Sequence, residues 1–106
     1  MFKEKNTVNK ITGNKVEVFG QELYLRNLTL GGMRRLEPLL DRLNGSIDNS
    51  SIANVIGTIS DVIQILTERD YEFNREDFEE NVDVEEVHAA LPLMLEAAGL
   101  AQKKTT

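Results

Sequence analysis

The side chains best suited to chemistry in this sequence are one histidine and a group of carboxylates. His88 follows Glu85 and Glu86 and is surrounded by aliphatic residues. Neither a nucleophile nor a further nitrogen ligand accompanies it at the spacing that a catalytic or metal site requires. We therefore interpret His88 as a packed or boundary residue of the fold.

Four oxygen-bearing residues alternate along the chain in the manner of a calcium-binding loop: Asp70, Glu72, Asn74 and Glu76. The pattern fails at the sixth position, where Arg75 replaces the glycine, and at the twelfth, where Asn81 replaces the bidentate glutamate. Adjacent acidic pairs such as Glu79 and Glu80 diverge around a helix and do not form a carboxylate dyad. The sequence therefore predicts no enzyme, no metal site and no cofactor.

Composition and charge narrow the class of protein further. The chain has 106 residues, no cysteine and a formal net charge of -6. The lack of cysteine excludes disulfides and thiolate metal sites. Between residues 68 and 86 there are ten acidic residues and two arginines, so free nucleic acid, which needs a basic patch, is excluded as a partner. The sequence has neither a run of about 18 apolar residues nor a secretory signal, so we expect one intracellular domain without a membrane partner.

The chain is organised around a helix predicted at residues 51–67. Its large apolar residues recur at steps of three and four: Ile52, Val55, Ile56, Ile59, Val62, Ile63 and Leu66. The opposite side carries polar residues: Asn54, Thr58, Asp61 and Gln64. This spacing lines one face of an α-helix with apolar side chains. We therefore expect the other elements to cover that face.

Around this helix we predict an α+β fold that is mostly helical, with an N-terminal β-hairpin packed on a bundle of about three to four helices. The hairpin, at residues 15–26, has two alternating apolar stretches and a turn at Gly20-Gln21. The other helices are expected at about residues 30–43, 75–80 and 84–98. All of these elements form a single domain, residues 15–101.

The two ends of the chain are predicted to lie outside this domain. Residues 1–14 are rich in lysine and have few apolar side chains, so we predict a flexible N-terminal arm. Residues 102–106 are predicted to form a flexible tail.

Residue types at the predicted helix ends support these boundaries. Thr29 and Asn74 are favourable N-caps, and Asp83 with Glu86 has the form of a capping box. Gly99 follows the last helix and is a natural left-handed terminator. The local signals therefore agree with the helical periodicity.

The last predicted helix is apolar on nearly every side beyond Val87. A domain of this size cannot easily surround such a helix, so part of it should be exposed in the monomer. We predict that it receives an amphipathic segment of another protein through five residues: Val87, Leu91, Met94, Leu95 and Leu100. Burial in the core and a seam between copies of the chain, as in a homo-oligomer, are the alternatives.

Three segments carry a resemblance to a known family. Residues 25–40 read LRNLTLGGMRRLEPLL, residues 74–80 read NREDFEE, and the last helix ends in AAGL at residues 97–100. In this order, after a hairpin, they resemble the tail assembly chaperones of long-tailed bacteriophages. The likeness covers about residues 16–100.

The resemblance implies a small, mostly helical, non-enzymatic protein of the host cell cytoplasm. Such a chaperone binds the tape measure protein and keeps it soluble while the tail tube assembles, with the tail tube protein as a second candidate partner. A structural tail or connector subunit that forms a ring is the alternative. An acidic inhibitor that mimics DNA is a third interpretation of the charge.

Overall fold

The computed structural model describes residues 1–5, 10–45 and 52–100. Within these ranges the elements, in chain order, are β1 (Phe2–Glu4), β2 (Asn14–Val18), β3 (Gln21–Leu25), α1 (Leu30–Gly45), α2 (Ile52–Thr67), β4 (Tyr71–Phe73), α3 (Arg75–Asn81) and α4 (Val84–Ala97). The fold is α+β and mostly helical, as the sequence predicts. The expected tail at residues 102–106 lies outside the described residues.

Helix α2 is the centre of the fold and contacts α1, α3, α4 and β4. Val62 and Ile63 are fully buried, and Leu66 is nearly so. The predicted apolar face is therefore confirmed in the second half of the helix. In the first half the cover is thinner, because Ile56 is 39% exposed.

Residues of α2 with hydroxyl side chains are also buried, which the helical pattern did not predict. Thr58 is buried and donates a hydrogen bond from its hydroxyl to the carbonyl of Asn54, at 2.9 Å. Ser60 is fully buried and donates to Oε2 of Glu79 in α3, at 2.7 Å. Each buried hydroxyl thus has a partner, so its burial carries little of the penalty of an unpaired polar group.

The hairpin is formed by β2 and β3, which pair antiparallel with Val16 opposite Leu23. Its turn is Phe19-Gly20, with φ angles of 53° and 73°, which are typical of a two-residue type I′ turn. The predicted turn at Gly20-Gln21 is therefore wrong by one residue. With the observed turn, each residue of β2 pairs two residues earlier in β3 than the predicted turn would give. Because the shift is an even number of residues, the same side chains remain on each face of the hairpin.

The apolar face of the hairpin packs on the helices, as predicted. Val16, Val18, Leu23 and Leu25 are all buried, and α4 packs against both strands. Because an isolated hairpin is marginal in water, this contact stabilises the hairpin and covers one side of α4.

The first residues of the chain are ordered, which corrects the prediction of a flexible arm at residues 1–14. Strand β1 pairs antiparallel with β4, with Phe2 opposite Phe73. Phe2 is only 5% exposed, so burial of its ring stabilises the strand. Residues 6–9 of the predicted arm lie outside the described residues.

Five aromatic side chains form one cluster, here called the aromatic cluster: Phe2, Phe19, Tyr71, Phe73 and Phe78. Neighbouring ring centroids are 5.1 to 6.5 Å apart, in stacked and edge-to-face arrangements. These distances are those of favourable aromatic pairs. Phe19 has a positive φ, which is costly for a bulky residue, and its contacts with Phe2 and Phe78 offset that cost.

A polar junction joins the hairpin to the turn after α2. The guanidinium of Arg26 donates two hydrogen bonds to the carboxylate of Asp70, at 2.7 and 2.9 Å. The side chain of Asp70 is only 6% exposed, and its hydrogen bonds raise the pKa of Arg26. Next to this pair, the backbone N–H of Tyr24 donates to the hydroxyl of Tyr71, at 2.9 Å. Both bonds are formed between residues more than 40 positions apart in the chain.

Replacing Tyr71 by phenylalanine tests this junction. The change leaves the N–H of Tyr24 without its acceptor, so the free energy of unfolding at pH 7 should fall by about 1–3 kcal/mol in urea denaturation. Tyr24→Phe is the matched control, because it removes only an exposed hydrogen bond to Glu22. Its effect should stay within about 0.5 kcal/mol. Equal losses in the two variants would contradict the assignment.

The same hydroxyl predicts a dependence on pH. Burial raises the pKa of Tyr71 above its ordinary value of 10.0, so the folded state binds this proton more tightly than the unfolded state. The corresponding stability is fully present below about pH 10 and is lost as the pH rises through the raised pKa. Unfolding measured between about pH 9 and pH 11 should therefore show a steeper loss in the parent protein than in Tyr71→Phe.

Candidate functional site

Helix α4, the predicted binding element, is fixed at both ends. At its start the predicted capping box is present: the N–H of Glu86 donates to the side chain of Asp83, and the N–H of Asp83 donates to the side chain of Glu86. At its end Gly99 has a φ of 91°, as predicted for the terminator. The N–H of Leu100 bonds to the carbonyl of Leu95, which together with the bond from Gly99 to Glu96 completes a Schellman motif.

Two further bonds tie the end of α4 to the rest of the fold. The side-chain amide of Asn14 donates to the carbonyl of Ala97, at 2.8 Å. The backbone N–H of Leu28 donates to the carbonyl of Ala98, at 3.1 Å. These bonds satisfy carbonyls that a helix end leaves without partners, and they hold α4 on the hairpin.

The structure places the predicted partner-binding residues mostly inside the fold. Val87 is buried and Met94 is fully buried, so both belong to the core. In this fold neither side chain offers a surface for the predicted contact with a partner. Leu91, Leu95 and Leu100 are half-buried and also pack against the core. Only part of each side chain is therefore accessible to a partner.

The fold covers α4 more completely than the sequence suggested because the inner side of the helix carries small residues. Ala90, Ala97 and Ala98 are all buried, and small side chains allow the hairpin to approach closely. On the outer side, His88, Ala89 and Pro92 are exposed, and Leu93 is 47% exposed. His88 is therefore a surface residue, and the uncovered apolar strip of α4 is narrow.

Helix α1 is covered less completely than α4. Its main packing partner is α2. Leu36 is buried, whereas Met33 and Leu40 are half-buried and Leu30 is 84% exposed. Helix α1 begins as predicted, because the hydroxyl of Thr29 accepts a hydrogen bond from the N–H of Gly32 at 3.0 Å.

An apolar groove of about 470 Å³ follows the uncovered flank of α1. Its lining, which we call the α1 groove, consists of Leu30, Met33, Arg34, Leu36, Glu37, Leu40 and Leu100. Arg34 and Glu37 are exposed at its edge, and Leu100 reaches it from the end of α4. Leu100 is thus a predicted partner-binding residue that lines the α1 groove, whereas the other four predicted residues are not part of its lining.

A second cleft, of about 560 Å³, lies between the end of α1 and the start of α2. It contains the polar residues Asn54, Thr58 and Asp61. Because several of its lining groups are polar, this cleft is less suited to apolar side chains than the α1 groove.

Sequence reasoning missed the α1 groove for a specific reason. Met33, Leu36 and Leu40 share a helical stripe. Such a stripe predicts that these side chains are buried, but it does not predict what fraction of each is covered. The signal that could have found the groove is Leu30, which lies one turn before this stripe and extends it at the same flank. Whether such a stripe is covered depends on the neighbouring elements, which its own sequence does not specify.

Two of the four residues considered for calcium have other partners in the structure. Asp70 pairs with Arg26, and Asn74 caps α3 by accepting a hydrogen bond from the N–H of Asp77. Among residues 1–5, 10–45 and 52–100, no three His, Asp or Glu side chains are grouped so that they could hold a metal ion. The described geometry therefore offers a surface for apolar side chains as its main candidate site.

No similar protein was found. No family model matches the chain, and no curated protein and no solved structure is significantly similar to it. In the part of the chain that the structure describes, no helix has both the length and the apolar character needed to cross a bilayer. The α1 groove and the family resemblance of the sequence are therefore the two observations that bear on function.

Met94 and Leu93 are adjacent residues of α4 that test its orientation. Met94→Ala creates a cavity in the core and should lower the free energy of unfolding by about 2–5 kcal/mol. Leu93→Ala removes a side chain that is 47% exposed and should cost less than about 1 kcal/mol. Chemical denaturation of both variants measures the difference. A larger loss in Leu93→Ala would reverse the assigned faces.

Gly99 and Gly57 provide a second matched pair, for the end of α4. A Cβ at residue 99 would lie 2.8 Å from Oδ1 of Asn27 and would adopt a positive φ, so Gly99→Ala should destabilise by about 1–3 kcal/mol. A Cβ at residue 57, inside α2, meets nothing within 4 Å. Gly57→Ala should therefore stabilise by up to about 1 kcal/mol. Thermal or urea unfolding should show shifts of opposite sign.

Proposed function

We propose that this protein is a non-enzymatic tail assembly chaperone of a long-tailed bacteriophage, and that it binds a helical segment of the tape measure protein in the α1 groove. The main support for the proposal is the position in the sequence of the residues that line the groove. Residues 25–40, the segment with the clearest family resemblance, contain every lining residue of the groove except Leu100. The resemblance and the α1 groove thus coincide in one segment.

The shape of the groove suits an amphipathic helix. Leu36 forms the buried floor, while Met33, Leu40 and Leu100 are half-buried around it. A client helix that places apolar residues at steps of three and four can cover these side chains together with Leu30. The proposed contact surface is therefore a groove on α1 and not the inner face of α4.

The size of the groove favours reversible binding. Covering apolar surface contributes about 25 cal/mol per Å², and association costs several kcal/mol of lost freedom. Because Leu36 is already buried and Met33, Leu40 and Leu100 are half-buried, a single site of this kind should bind weakly. Weak binding suits a chaperone that gives up its client as tail tube subunits assemble around it.

The acidic surface has a separate role in this proposal. Glu72, Glu76, Glu80 and Glu85 are exposed on β4, α3 and the start of α4, away from the residues that line the groove. Their negative charge disfavours association between complexes. The charge would thus keep a complex with an aggregation-prone client dispersed in the host cytoplasm.

Co-expression with the tape measure protein encoded in the same phage genome tests the proposal. The parent protein should raise the soluble fraction of the tape measure protein. Leu30→Asp should reduce that gain at least about fivefold, because a charge in the groove costs 1 kcal/mol or more of binding. Leu30 is 84% exposed, and an acidic residue in the first turn of α1 is favourable for the helix dipole. The variant should therefore remain folded, as circular dichroism can confirm.

Two matched variants control for an added surface charge. Val84→Asp changes a residue of α4 that is 68% exposed and lies outside the groove, and it should keep the full solubilising effect. Leu93→Asp changes the outer face of α4 and should also keep it. If Leu93→Asp abolishes the effect while Leu30→Asp does not, the client binds α4 instead. If none of the three variants reduces the effect, neither surface binds the client.

A further inference from the structure

We propose that the α1 groove is covered by α1 of a second copy of this chain when no client is bound, in an antiparallel homodimer. This inference goes beyond the chaperone proposal and stands without it, because it concerns the isolated protein. It rests on the spacing of the apolar residues of α1 and on the order of two charges at the edge of the groove.

The apolar side chains of the groove have the spacing of a helix–helix seam. Leu30, Met33 and Leu40 lie on one stripe of α1, and Glu37 occupies the position between Met33 and Leu40, so that the four positions follow at steps of three, four and three. This is the pattern by which one helix packs lengthwise on another. Leu30, at 84% exposure, contributes little to the monomer, yet it continues the seam by one turn.

Two charges, Glu37 on the seam and Arg34 at its side, complement a second copy of themselves. Arg34 and Glu37 are both exposed, and neither makes an ion pair within the described part of the chain. In an antiparallel pair with its two-fold axis between residues 35 and 36, Arg34 lies opposite Glu37 of the partner subunit. The symmetry repeats the contact, because an isologous interface forms each pair twice.

The same register brings the apolar ends of the seam together. Leu30 then lies opposite Asp41 of the partner subunit and next to Leu40 of the partner subunit, at both ends of the interface. A parallel pair would instead place Arg34 beside Arg34 of the partner subunit and Glu37 beside Glu37 of the partner subunit. Because like charges at such positions are destabilising, the charge order selects the antiparallel arrangement.

The interface is about three helical turns long, so it is smaller than that of a stable dimer. We therefore expect a dimer in exchange with the monomer, with a Kd in the range of about 10–100 µM. A client helix with the same apolar spacing would compete for this surface. The second copy would then cover the groove in the absence of a client, and a client helix would displace it.

Sedimentation velocity of the isolated protein, from about 5 µM to about 1 mM, tests the inference. The parent protein should change from monomer to dimer across this range. Leu30→Asp should raise Kd at least about tenfold, whereas Val84→Asp on α4 should leave it unchanged. Circular dichroism of each variant checks that the helices are retained.

A charge exchange tests the register. Arg34→Glu and Glu37→Arg each place like charges opposite one another and should each raise Kd about tenfold. The double variant restores the pairs in reversed order and should return Kd to within about threefold of the parent value. Because the two single changes move the net charge in opposite directions, general repulsion cannot account for weakening in both.

Three results would overturn the inference. One is a protein that remains monomeric up to about 1 mM, and another is an assembly larger than a dimer as the first associated species. The third is a double variant that is no tighter than the single variants. None of these results affects the client-binding assay, which scores the solubility of the tape measure protein, so the two proposals can fail independently.

Discussion

The structure depends on the attachment of the hairpin to the turn that follows α2. Asp70 supplies most of this attachment: its carboxylate binds Arg26 through two hydrogen bonds, and its backbone carbonyl accepts a bond from the N–H of Lys5. Tyr71 adds the bond from its hydroxyl to the backbone of β3. A single turn thus fixes the hairpin and the first strand relative to α2, and the position of α4 follows because α4 packs on the hairpin.

Local signals in the sequence predicted much of this fold. The N-caps Thr29 and Asn74, the capping box of Asp83 and the terminator Gly99 are all observed as predicted. Each depends on a few neighbouring residues, so the sequence contains the whole interaction. The aromatic cluster was missed because its members come from β1, the hairpin turn, β4 and α3, and no local pattern reports which distant rings meet.

The candidate site also depends on contacts between distant elements, which a local sequence pattern does not report. Hydrophobicity identified α4 as the helix with too much apolar surface, but apolar content does not reveal how close a neighbour can approach. Buried alanines on α4 allow the hairpin to cover it, whereas α1 has larger side chains and packs mainly on α2. The less apolar helix therefore keeps the more accessible groove, and of the predicted contact residues only Leu100 reaches it.

The pairing of β1 with β4 has a consequence for synthesis of the chain. Phe2 cannot meet Phe73 until the 70 residues between them have left the ribosome. Closing so long a loop costs entropy that local contacts cannot repay. Strand β1 therefore pairs only after the helices between it and β4 have been synthesised, so Phe2 stays uncovered on the nascent chain until β4 emerges.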